Sequence, residues 1–160
     1  MLDSQTFKTI IQSTPLVSID LCLACKGQIL LGKRNNEPLK GQWFTPGGRI
    51  QKNESWQNAL RRIALSELGI FVENLDVFML MGVWDHFYPN SMFDKKMSTH
   101  YVNLPHFAKF ESKPIITGDN QHGEFNWFDL DVVVSDEAFH NYVRDYAGYL
   151  INKEIKYVSN

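Results

Sequence analysis

The sequence predicts an α+β class, a mixed β-sheet sandwiched between helices, and three observations predict it. Two strand-like runs joined by a two-residue turn occupy residues 16–34. A segment at residues 54–68 has apolar side chains at helical spacing and is flanked on both sides by strand-like runs. From residue 136 the chain carries Ala138, Tyr142, Tyr146 and Leu150, again at i, i+4. A chain of 160 residues, 44% hydrophobic and 13% aromatic, is rich enough in apolar side chains for a packed core. Its length suits one domain, expected to span residues 1–160.

Taken in order, residues 16–24 alternate and are rich in Val, Ile and Leu, and Lys26-Gly27 is a turn leading into a second strand at residues 28–34. Residues 35–42 (NNEPLKGQ) form a polar loop broken by Pro38 and Gly41. A short extended piece at 43–45 stops at Pro46, and Gly47-Gly48 reads as a tight turn. In the helix at 54–68, Leu60, Ala64 and Leu68 form the apolar stripe, begun by Trp56. Asn53 is the expected N-cap and Gly69 the stop. Glu54 and Arg62, eight apart, share a face, and Glu67 lies away from the stripe. Strand-like runs follow at 77–88, 100–110 and 125–128, and a C-terminal helix begins at Asp136.

Composition excludes some functions. A net charge of -2 provides no general nucleic-acid footprint, so a phosphate-bearing ligand must be held by locally placed cations or metal. Cys22 and Cys25 stand in a strand, on opposite faces, with no second cysteine pair to complete a metal site. They are expected to be buried free thiols, as suits a reducing compartment. The N-terminus lacks the charge and hydropathy of a leader, and no apolar stretch of membrane-spanning length occurs. A cytoplasmic location with no membrane partner is expected.

Residues 47–70 read GGRIQKNESWQNALRRIALSELGI. From Gly48 the spacing runs glycine, five residues, Glu54, seven residues, Arg62, then Glu67, Gly69 and Ile70. This resembles the Nudix box, G-x5-E-x7-R-E-U-x-E-E-x-G-U, in residues 48–70. That family hydrolyses nucleoside diphosphates linked to another group and uses divalent metal. Two glutamates of the box are absent: Ile63 and Ser66 stand in their places. The usual box gathers several carboxylates around two or three metals that activate a water to attack phosphorus. With Glu67 alone surviving from that cluster, one Mg²⁺ can be held but not a cluster. One cation still neutralises a departing diphosphate, which points to substitution at the sugar carbon, with a protein base for the water.

Further segments, LVSID, LLGKRNN, GQWFTPGGRIQK, GVWDHFY, THYV and NQH, are similar to the GDP-mannose mannosyl hydrolase branch of the family, over residues 13–127. That branch lacks the same two glutamates and cuts at C1 of the sugar with inversion. The resemblance implies one Mg²⁺ per subunit (Mn²⁺ able to substitute) on the carbonyl of Gly47, the carboxylate of Glu67 and the side-chain oxygen of Gln121. It implies His122 as general base, with His86 its substitute. Arg34 and Arg49 match residues on the diphosphate, and Arg62 an arginine near the leaving group. Asp20, His86, Tyr88 and Tyr101 match residues lining the sugar and diphosphate site. The expected partners are a GDP-sugar, GDP-mannose or GDP-glucose, and a second copy of the chain in a homodimer.

Plainer readings stand beside these. Arg62 can serve only to pair with Glu54, Tyr88 and Tyr101 can be core aromatics, and His106 and His140 lie outside the matched motifs as surface or packing residues. Asp20 interrupts an apolar strand, and a buried carboxylate has a partner or a task. Two other functions remain open. A phosphorus-attacking pyrophosphohydrolase would yield GMP and sugar 1-phosphate, with Asp119 or Glu124 as replacement carboxylates. A non-catalytic domain would only bind a nucleotide sugar.

Overall fold

The computed structural model describes residues 3–117 and 122–158, with residue 122 and residues 154–158 described through their backbone only. The chain runs α1 (Ser4–Ser13), β1 (Leu16–Cys25), β2 (Gln28–Arg34), β3 (Trp43–Phe44), β4 (Gly47–Arg49), α2 (Trp56–Leu68), a 3₁₀ turn (Leu75–Val77), β5 (Met79–Leu80), β6 (Trp84–Tyr88), β7 (Thr99–Asn103), β8 (His106–Phe110), β9 (His122–Asp129), α3 (Leu130–Ser135) and α4 (Asn141–Val158).

β1 is the axis of the sheet. Its first half lies between antiparallel β4 (Asp20 opposite Gly47) and parallel β7 (Ser18 opposite Asn103). Its second half lies between antiparallel β2 and parallel β8. The sheet is therefore mixed, and β2 extends it through β3 and β9. The β1–β2 turn is made by Lys26 and Gly27, both at positive φ, the conformation a tight hairpin needs.

Alternation along β1 and β2 sends side chains to two cores. Ile19, Leu21, Leu23 and Leu30 pack with Leu60, Ile63, Ala64 and Leu68 of α2. Cys22, Ala24, Ile29 and Leu31 pack with Leu130 and Val133 of α3 and Val143, Tyr146, Ala147 and Leu150 of α4. The result is helices on both faces of one sheet, the expected α+β sandwich. Cys22 and Cys25 are both buried and free.

Several local expectations are corrected. Ser55, not Asn53, caps α2, its hydroxyl accepting from the Asn58 N–H, while Asn53 sits at φ 65° in the preceding loop. Gly69 ends the helix in the left-handed conformation, as expected. Gly47-Gly48 is strand, not turn, because β4 finds its partners in the distant β1. A Cβ at Gly47 would strike Asp20 Oδ1 and come within 2.7 Å of the Ile19 carbonyl, so β1 and β4 approach as only glycine permits. Trp56 is outside the apolar stripe, 43% exposed and stacked on His106. Glu67, expected off the stripe, is buried at 3% exposure, and Ile63 belongs to the core.

The run at 77–88 breaks at Gly82, whose φ of 132° is open only to glycine, and the run at 100–110 divides at Leu104-Pro105. The C-terminal helix begins at Asn141 rather than Asp136, behind the unexpected α3. α1 was also unexpected. It is capped by Asp3, which accepts from the Thr6 N–H at 2.9 Å and from the Thr6 hydroxyl at 2.6 Å. Phe7 and Ile11, one turn apart, bury against Leu16 and Met97 in a small separate cluster. Among the described residues, no helix is long and apolar enough to cross a membrane.

Candidate active site

A cavity of about 330 Å³ opens where the first half of β1 meets β4, β6 and β7. Asp20, Arg34, Gly47, Arg49, His86, Tyr88 and Tyr101 all line it. Residues far apart in sequence thus converge because β1 pairs with β4 and β7, and β7 in turn with β6. The remaining wall comes from Phe7 and Ile11 of α1, from residues 36–39 of the loop after β2, from Phe44 and Thr45, and from Ser18, Gly48, Met92 and Thr99.

Asp20 is the one carboxylate buried among these groups. It is 8% exposed, on the α4-facing side of β1, where alternation would otherwise supply an apolar residue. Its Oδ2 accepts from Asn103 Nδ2 at 2.7 Å and from the Tyr146 hydroxyl at 2.8 Å. Burial pushes its pKa up to about 6, against the opposing pull of Tyr146, Asn103, Arg34 and Thr45. Neither Asn103 nor Tyr146 was among the expected site residues. The readable signal was the isolated carboxylate itself, which demanded partners.

His86 is 2% exposed and lies flat against Tyr142, ring centroids 3.9 Å apart. Its Nε2 is 3.3 Å from the Tyr146 oxygen and its Nδ1 faces Asn103 Nδ2 at 3.5 Å. Burial lowers its pKa to about 4, with nearby His140 adding to the effect. Burial thus favours the neutral ring, held in the wall between Tyr142 and the Asn103–Tyr146 pair. Tyr88 is 6% exposed, and burial raises both its pKa and that of Tyr101, leaving two neutral phenols in the wall. His140 packs among Phe44, Tyr88 and Tyr142, and His106 bonds the Leu104 carbonyl beneath Trp56, both packing roles.

The arginines divide by function. Arg34 Nε donates to the Pro38 carbonyl at 2.8 Å, which steadies the loop, and Arg34 also lines the cavity. Arg49 lies over the Phe7 ring at 3.8 Å, with its pKa lowered by partial burial. Arg62 does not line the cavity. It forks onto Glu54 at 2.7 and 2.8 Å and donates to the Arg49 carbonyl at 2.8 Å, so it holds the strand end that carries Arg49.

The two substituted box positions have their own structural duties. Ile63 is 1% exposed and its side chain would meet a Cβ on Gly48 at 3.1 Å. Ser66 turns its hydroxyl to the Ile63 carbonyl at 3.3 Å. Among the described residues, no three His, Cys, Asp or Glu side chains gather as a metal cluster would require. The donors implied for a single cation are Gly47, in the cavity wall, and Glu67, on the helix that packs against β4. A backbone carbonyl and a carboxylate are the oxygen donors that one hard divalent ion takes. Gln121 lies outside the described residues, as does the side chain of His122. The backbone of His122 stands opposite Arg34 in the β2–β9 pairing, beside a register shift between Lys33 and Arg34. Glu124, opposite Lys33, is exposed on β9, and Asp119 is outside the described residues.

A mixed sheet between helices, with an arginine-lined cavity beside its central strand, defines the class of α+β domain. Residues 15–147 match the NUDIX domain family, and the chain belongs to it. It is 34% identical over 144 residues to the low-salt glycan biosynthesis protein Agl8 of Haloferax volcanii, covering 90% of this chain and 87% of that one. Among solved structures it resembles a MutT NUDIX hydrolase from Burkholderia pseudomallei, with a TM-score of 0.67, 27% identity, and coverage of 86% of this chain and 98% of that one. The fold is likewise that of a MutT protein from Methanosarcina mazei Go1, with a TM-score of 0.69, 19% identity, and coverage of 89% and 97%.

Proposed function

We propose that this protein hydrolyses a GDP-sugar of the GDP-mannose or GDP-glucose kind to GDP and the free sugar, by attack of water at sugar C1 with inversion. The observation that carries this reading is a paired one. One cavity collects Asp20, Arg34, Arg49, His86, Tyr88 and Tyr101, while the positions of the two lost box glutamates are given over to a core isoleucine and a serine bonded to its own helix. Phosphorus attack relies on carboxylates at those positions, and nothing at Ile63 or Ser66 can replace them.

In this reading Arg34 and Arg49 take the diphosphate, whose leaving oxygen gathers charge as the C1–O bond lengthens. A Mg²⁺ held by Gly47, Glu67 and Gln121 would supply further neutralisation of that charge. Asp20 and the phenols of Tyr88 and Tyr101 hold the sugar, and His122 accepts the proton of the attacking water. An imidazole suits that task near neutral pH. The name of the Haloferax relative, a glycan biosynthesis protein, supports a sugar-bearing substrate. A homodimer remains part of the proposal, and residues 1–160 are proposed to act as one domain. Incubation of GDP-mannose with protein and Mg²⁺, followed by ³¹P and ¹H NMR, tests the products. GDP with the inverted free sugar is expected. GMP with sugar 1-phosphate would replace this reading with the pyrophosphohydrolase, and binding without turnover would replace it with the non-catalytic domain.

A further inference from the structure

The cavity wall is backed by a hydrogen-bond network that reaches the C-terminal helix, and its donors can be traced one by one. Asn103 is fully buried. Its Oδ1 accepts from the Ser18 hydroxyl at 3.1 Å, which fixes the amide so that Nδ2 faces Asp20. That nitrogen has two hydrogens: one goes to Asp20 Oδ2 at 2.7 Å and the other to the Tyr146 oxygen at 2.6 Å. A carboxylate only accepts, so the Tyr146 hydroxyl donates its single proton to the same Asp20 Oδ2. The phenol oxygen is then an acceptor for His86 Nε2, which must carry the hydrogen. Both traced donors to Asp20 end on Oδ2. The other oxygen, Oδ1, lies against Gly47 in the cavity wall.

Resting on the proposed function, we infer that Asn103 and Tyr146 are positioning residues for the sugar end of the substrate. They clamp one oxygen of Asp20 and one nitrogen of His86, so that the second Asp20 oxygen is presented to the cavity as a fixed acceptor for a sugar hydroxyl. Specificity for a hydroxyl-bearing group follows, because a rigid carboxylate oxygen left unpaired by an altered sugar keeps its desolvation cost. α4, which lies beyond the segments that resemble the family branch, thereby becomes part of the site's architecture.

Tyr146→Phe tests this, since the buried ring keeps its place in the core while Asn103 and His86 lose an acceptor and Asp20 a donor. Turnover kinetics with GDP-mannose, calorimetric binding of GDP-mannose and of GDP alone, and melting temperature are measured together. Tyr146→Phe is expected to lower kcat/KM by roughly ten- to a hundred-fold, the worth of a hydrogen bond to a charged group. Affinity for GDP alone should stay within about twofold, because the network faces the sugar. Asp20→Asn should lose as much or more, and Asp20→Asn with Tyr146→Phe should be no worse than Asp20→Asn alone, since both act through one carboxylate. Additive losses, or unchanged turnover of Tyr146→Phe beside a tenfold loss in Asp20→Asn, would overturn the inference. If the wild-type protein binds GDP-mannose without cleaving it, calorimetry decides alone. GDP-mannose should bind tighter than GDP and Tyr146→Phe should erase the difference; a preserved difference, or none in the wild type, would overturn it.

Discussion

The two faces of β1 use one backbone for different ends. On the α2 side, Ile19, Leu21 and Leu23 are wholly buried among the side chains of a regular amphipathic helix. On the other side the strand starts with the buried Leu16, is interrupted by Ser18 and Asp20, and turns apolar again at Cys22 and Ala24. The first face is held by many interchangeable apolar contacts. The second depends at its start on a few directional bonds, each to a residue distant in the chain: Asn103 and Tyr146. The interrupted alternation therefore coincides with the cavity end of the strand, and the uninterrupted one with its packed support.

The largest effect expected from the proposed function falls on catalysis and not on stability. His122→Gln should cut kcat by roughly 10²- to 10⁴-fold, the usual worth of a general base, at an unchanged melting temperature. A loss below about tenfold would remove His122 from that role.

Ile63→Glu sharpens the contrast from the supporting side. Restoring the box residue at a site 1% exposed puts a carboxylate into the apolar core, at an expected cost of about 3 kcal/mol. Denaturant melts should show that loss with no gain of GMP. A stable variant that releases GMP and sugar 1-phosphate would mean that this helix face opens to metal after all.

The smallest effect concerns the Arg62–Glu54 pair that anchors the end of β4. The bond from Arg62, first among the causes, holds the Glu54 carboxylate below its ordinary pKa. A carboxylate with a depressed folded pKa stabilises the fold above its unfolded value, near 4.5, and that contribution fades as pH falls through the lower folded value. Since the pair is partly solvated, Glu54→Gln should cost about 1 kcal/mol or less at pH 7. The gap between variant and wild type should close as pH falls below 4.5, and melting temperature against pH measures it. A gap that widens on acidification would contradict the assignment.

What was legible in the sequence follows the same division. The β1–β2 hairpin, the stripe of Leu60, Ala64 and Leu68, and the Gly69 stop are local patterns, and the fold kept them. β4 was missed because two glycines look like a turn until a distant strand pairs with them, and α1 because the Asp3 cap and the Phe7–Ile11 spacing are brief. The cavity residues were named from the resemblance of short motifs, and the fold brings Asp20, Arg34, Arg49, His86, Tyr88 and Tyr101 to one wall. Arg62 stands outside that wall, paired with Glu54. Asn103 and Tyr146 were beyond reach, since no local period announces a partner 83 or 126 residues away.

The central claim, that the bond broken is carbon–oxygen at the sugar, is tested most directly by hydrolysis of GDP-mannose in ¹⁸O-water with Mg²⁺ and mass analysis of the products. The account predicts the label in mannose and unlabelled GDP. Label in a phosphate product would contradict it.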